Sequence, residues 1–102
     1  MANPNTSRAI ESLAAEIGDR IYMDIAKWHL YLSNAHLHTV LAERLYPLLE
    51  KGPLDENAVV QQLRQISVQV GGGRHELPLA DLVPVKGQMD LMDLLEEFQR
   101  NL

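Results

Sequence analysis

At 102 residues the chain has room for one domain and not for two independent cores. Its 46% hydrophobic and 23% charged content is that of a globular protein and argues against disorder. A net charge of −5 disfavours general attraction to nucleic acid or an anionic bilayer, and the lack of cysteine excludes disulfides, thiolate metal sites and a cysteine nucleophile.

Residues 1–5 read as a frayed start, with Asn5, Thr6 or Ser7 as the cap of a first helix. Ile10, Leu13, Ala14, Ile17 and Ile21 then recur at helical spacing, and Gly18 weakens that helix or marks its end. From Ile21 to Leu37 the apolar residues occupy more than one helical face, which predicts a central helix, bent or ended near Ser33-Asn34. Thr39, with Glu43 near the position of a capping box, predicts a third helix with Leu41, Leu45, Leu48 and Leu49 inward. Pro47 predicts a kink or short break near Tyr46, and Lys51-Gly52-Pro53 a stop.

Asp55 is the expected cap of a fourth helix reaching about Gln65, with Val59, Val60 and Leu63 on its inner face. The period then changes to two. Ile66, Val68 and Val70 alternate with polar residues, Leu77 and Leu79 do so on the far side, and Gly71-Gly72-Gly73 supplies a hairpin turn. Pro78 cannot donate to a ladder, which places its strand at an edge or leaves it unpaired at that point. Residues 84–87 read as a loop, and a last amphipathic helix runs from about Gln88 with Leu91, Leu94, Leu95, Phe98 and Leu102 inward. The expected fold is α+β and mostly helical: about four helices, an antiparallel β-hairpin and a C-terminal helix, in one compact domain over 1–102.

No uninterrupted apolar run approaches the ~20 residues of a membrane helix. Met1 to Thr6 lack the basic and apolar regions of a signal peptide, so the expected location is cytoplasmic, without membrane insertion.

The candidate chemistry is sparse. His29, His36 and His38 offer three imidazole ligands, but on a continuous helix His38 points away from the other two, and no H-E-x-x-H spacing accompanies them. The glycines at 71–73 lie between strand-like runs instead of opening a helix, so they form a turn and not a phosphate cradle, leaving Arg74 and His75 as polar probes at its tip. Helices 39–51 and 56–65 followed by the hairpin resemble the back half of a winged-helix domain, with Gln61, Gln62, Arg64 and Gln65 as groove-facing residues. The net charge of −1 over residues 39–80 weighs against that reading, because phosphate contacts need excess cation.

The carboxylates of the last helix, Asp93, Glu96 and Glu97, read as a solvated face and not as an acid–base pair. Ser7, Ser12, Ser33 and Ser67 lack the glycines of a nucleophile elbow. Tyr22, Trp28, Tyr31 and Tyr46 read first as core, although Trp28 with His29 and Tyr31 can leave a ring exposed as an interface anchor.

Several stretches carry a family resemblance. They are Asp24-Ile25-Ala26-Lys27-Trp28-His29-Leu30-Tyr31-Leu32, Leu37-His38-Thr39, Leu41 through Leu49, and Gly71-Gly72-Gly73 with Leu77-Pro78-Leu79. In these the chain resembles a small family of cyanobacterial proteins classed as a domain of unknown function. The resemblance reaches from near the N-terminus to about Pro84. It implies an organism group and a photosynthetic setting, and it brings no catalytic residue.

The leading expectation is a non-enzymatic accessory or protein-interaction module, without cofactor or metal, whose interaction surface includes Trp28, His29, Arg74 and His75. Its partner is then a protein, a second copy included, in preference to nucleic acid. The alternatives are a winged-helix-like DNA-binding regulator and a small metal- or ligand-binding protein using His29, His36 and His38.

Overall fold

The computed structural model describes residues 4–25, 28–70 and 75–101. The chain begins with helix α1, Pro4–Arg20. Proline suits the first turn, where its missing N–H costs no intrahelical bond, so the helix starts within the segment expected to fray; residues 1–3 lie outside the described residues. Leu13, Ala14 and Ile17 are buried along one stripe, and Ile21, just past the helix, is also fully buried.

Gly18 does not end the helix. A Cβ there would stand 2.9 Å from the Cβ of Ser33 and 3.2 Å from that of His38, so glycine is what lets the following chain close on α1.

Where a helix was predicted over 21–37, strands β1 (Tyr22–Ile25) and β2 (Trp28–Tyr31) pair antiparallel, Tyr22 with Tyr31 and Asp24 with His29. Apolar residues on several faces of a supposed helix were the mark of a wrong period. Met23 and Leu30 face the core while Tyr22, Asp24, His29 and Tyr31 share the opposite side. The Leu32 N–H donates to the Ile21 carbonyl at 3.0 Å and extends the ladder by one pair. A turn over residues 32–36 then leads out, with His36 at φ 58°.

Helix α2, His38–Lys51, starts one residue before the predicted cap. Leu37 occupies the cap position without a side-chain bond, so the Thr39–Glu43 capping box is not formed. Pro47 lies within an unbroken helix, and the expected break near Tyr46 is absent; the proline ring is exposed. Gly52, at φ 133°, ends α2 as the sequence predicts. Asp55 caps α3, Glu56–Gln65, by accepting the Asn57 N–H at 3.0 Å.

The predicted hairpin is present as β3 (Ser67–Val70) and β4 (His75–Pro78), Val68 opposite Leu77. The Gly71–Arg74 segment that joins them lies outside the described residues. Pro78 pairs only at the end of this two-stranded sheet, where a missing donor is tolerated. A short helix α4, Leu79–Leu82, replaces the expected end of the strand, and the last helix, α5, spans Val85–Arg100. It absorbs the predicted loop at 84–87, because Gln88 donates from Nε2 to the carbonyls of Ala80 (3.2 Å) and Val83 (3.1 Å) and ties its first turn to α4.

The architecture is thus α+β and mostly helical, with two separate two-stranded sheets instead of one. Helices α1, α2 and α5 pack on one another, and α4 links the rest, touching β1, α3 and β4. One continuous apolar core joins Leu13, Ile17, Leu41, Leu45, Leu63, Leu79, Leu91, Leu94 and Leu95, and no polar or charged side chain among the described residues is buried in it. At its far end Gln99 of α5 donates from Nε2 to the carbonyls of Leu49 (3.1 Å) and Gly52, closing the free end of α2.

Candidate interaction surface

The outward side of β1–β2 follows from alternation. In an antiparallel pair, residues directly opposite share a face, and diagonal neighbours lie within reach of aromatic rings. Tyr22, His29 and Tyr31 consequently form a ring cluster. The Tyr22 and His29 centroids are 4.1 Å apart, and Tyr31 stands edge-on to both at 6.5 and 6.1 Å.

His29 is further held by its cross-strand partner. Its Nδ1 donates to Asp24 Oδ1 at 2.9 Å, and both residues are exposed. Tyr31 keeps 43% of its surface in water.

Beside Tyr31 opens a groove of about 400 Å³, walled by Asp19 and Arg20 at the end of α1 and by Asp90 and Asp93 on α5. Arg20 is engaged by Glu97, 3.9 Å away. The groove is therefore acidic with an aromatic lip. On the next strip of α5, Val85 and Met89 remain 74% and 63% exposed; one helical turn separates them, and Met89 and Asp93 are similarly spaced, so this apolar strip adjoins the acidic one.

Of the four residues expected to act together, two have described side chains. His29 belongs to the ring cluster, whereas His75 is exposed on β4 in the other sheet. Arg74 lies outside the described residues, as does the side chain of Trp28, whose backbone pairs with Ile25. His29 lies in β2, His36 in the turn and His38 at the start of α2; among the described residues no group of three or more His, Asp or Glu is placed to hold a metal ion. On α3, Gln61, Arg64 and Gln65 are exposed and Gln62 is half-buried, with Arg44 of α2 donating to Gln65 at 3.2 Å.

Tyr31 is exposed and Tyr22 half-buried, whereas the helical reading took both first as core and kept Tyr31 in a set that can leave one ring exposed. The signal for them was the period-two pattern Tyr22-x-Asp24 and His29-x-Tyr31.

Residues 10–98 match the family described as "Protein of unknown function (DUF3181)". The chain belongs to this DUF3181 family. Among its relatives is a thylakoid-associated protein of the cyanobacterium Synechocystis sp., 47% identical over 95 residues that make up 93% of this chain and 94% of the relative. No solved structure matches the chain. The resemblance seen in the sequence is thus confirmed, and the DUF3181 family includes a thylakoid-associated cyanobacterial relative.

Proposed function

We propose that this chain is a non-enzymatic accessory module that docks on a membrane-bound protein at the cytoplasmic side of the thylakoid, through the outward face of β1–β2. The observation that carries the reading is the Tyr22–His29–Tyr31 cluster with Tyr31 left 43% exposed beside an acid-walled groove. Rigid, partly exposed aromatic rings are favoured anchors of protein interfaces, since they supply large contact area at small entropic cost.

The thylakoid association of the Synechocystis relative supports the location. Direct attachment to lipid is the poorer alternative, since a net charge of −5 is repelled by an anionic leaflet.

Co-sedimentation with cyanobacterial thylakoid membranes tests the proposal. Wild-type protein is expected to pellet with intact membranes, and not with protease-shaved membranes or with vesicles of the extracted lipids. Tyr31→Ala should lower the pelleted fraction several-fold while leaving the unfolding midpoint near that of wild type, because truncating one interface anchor costs about 2 kcal/mol or more. Equal binding of Tyr31→Ala, or equal binding to lipid vesicles, would overturn it.

A further inference from the structure

Helix α5 carries apolar residues outward as well as inward. Leu91, Leu94 and Leu95 fill the core, while Val85 and Met89 are the two most exposed large apolar side chains among the described residues. One such residue on a surface is ordinary, but these two stand a single helical turn apart. Half-buried Met92 continues the row three residues on.

Val85, Met89 and Met92 are thus spaced four and three residues apart, the spacing of a seam along which one helix packs on another. No described element covers Val85 or Met89. Methionine suits such a seam, because its unbranched, polarisable chain adapts to the surface it meets.

Charge decides what can cover the row. It turns acidic at Glu96, the next position of the same spacing, and Asp90 and Asp93 border the groove it shares with Tyr31. Along α5 the four carboxylates Asp90, Asp93, Glu96 and Glu97 stand against Lys86 and Arg100. Of these four, Glu97 is engaged by Arg20, whereas Asp90, Asp93 and Glu96 have no cation within ion-pairing distance among the described residues.

An anionic bilayer laid on the row would meet those carboxylates at its headgroups and repel them. A second copy would bring the same acidic flank against itself, and like charges face to face oppose association. A helix with apolar residues on the matching spacing, and lysine or arginine beside them, satisfies both the row and its flank. Lys86 lies at the N-terminal end of the row, so the partner's cations fall toward Glu96.

We propose that Val85, Met89 and Met92 seat a basic amphipathic helix of a partner protein, its apolar stripe on this row and its cations over Asp90, Asp93 and Glu96. That the helix belongs to a membrane-bound protein rests on the proposed thylakoid docking; the chemistry of the row does not.

Titration of the full chain with a synthetic amphipathic helix of leucine and lysine tests it, followed by calorimetry and amide NMR shifts. Saturable one-to-one binding is expected, with the largest shifts at residues 85–96. A peptide of the same composition, scrambled so that its leucines share no face, should bind about tenfold more weakly or worse. Met89→Ser should weaken binding about five- to tenfold, and Asp93→Asn about two- to fivefold. Both side chains are exposed, so the unfolding midpoint should stay put. Absence of saturable binding would refute the proposal. Equal binding of the scrambled peptide, or undiminished binding to Met89→Ser, would do the same by marking diffuse condensation on an acidic surface. A dimer of the free chain that Met89→Ser dissolves, read by sedimentation equilibrium, would also refute it, because a second copy then covers the row.

Pelleting with thylakoid membranes separates this proposal from the docking it builds on. If Met89→Ser pellets like wild type while Tyr31→Ala does not, the basic helix falls and the docking stands. If the peptide binds as expected while Tyr31→Ala pellets like wild type, the row keeps its basic helix and the docking through β1–β2 falls.

Discussion

Position 18 shows how a single residue governs the way the chain returns on itself. On helix propensity alone, Gly18→Ala would stabilise α1 by up to ~1 kcal/mol. The added methyl meets Ser33 Cβ at 2.9 Å and the His38 ring at 3.2 Å, and Ser33 is fixed there because its N–H donates to the Gly18 carbonyl at 3.3 Å. Overpacking of this kind costs about 1–3 kcal/mol. Gly18→Ala should therefore lower the urea midpoint without changing the slope, and a raised midpoint would show that the approach of the turn to α1 is not a constraint. The sequence showed the glycine but not its reason, since Ser33 and His38 reach it only after the intervening hairpin has reversed the chain.

Individual elements differ in how openly the sequence declares them. Helix α3 was readable from Asp55 and the Val59–Leu63 spacing, and α5 from Leu91, Leu94 and Leu95, because a cap and a periodic stripe are local properties. Hairpin β3–β4 was readable for the same reason, with glycines between two alternating runs. Hairpin β1–β2 was not. The residues between its strands, Ala26-Lys27, include none of the Gly, Asn or Asp that mark a tight turn. Its strands, each of four residues, are also too short for alternation to outvote the surrounding leucines. The candidate site was partly hidden with it: His29 was named and Tyr31 was left as a ring that can be exposed, while Tyr22 was read first as core.

Element ends are equally dependent on distant partners. The last turn of α2 closes on Gln99, far along the chain, so Gln99→Ala leaves the Leu49 and Gly52 carbonyls without that donor. A loss of about 1 kcal/mol is expected, together with faster hydrogen exchange confined to the end of α2 and the start of α3. Unchanged exchange there would show that solvent serves those carbonyls equally well.

At the scale of the molecule, stability and recognition are spatially separated. The apolar core runs through α1, α2, α4 and α5, while the ring cluster and the acidic groove lie on its outside. This division explains why an otherwise plain helical protein can bear a distinctive surface. The core constrains only inward residues such as Met23 and Leu30, and leaves the identities of Tyr22, His29 and Tyr31 free to serve another purpose. Substitutions on the outward face of β1–β2 should consequently change binding at nearly constant stability.

The absence of buried charge among the described residues has a practical consequence. Mobile ions screen exposed charges, with a Debye length falling from about 10 Å at 0.1 M to about 3 Å at 1 M, but have little to act on inside a hydrocarbon-like interior. Ionic strength is thus a dial that turns one property and not the other. Raising sodium chloride from 0.05 to about 0.5 M should release this chain from thylakoid membranes by slackening the acidic groove's hold, while circular dichroism and the thermal midpoint stay almost where they were. Release accompanied by melting would mean that the fold itself leans on its surface charges.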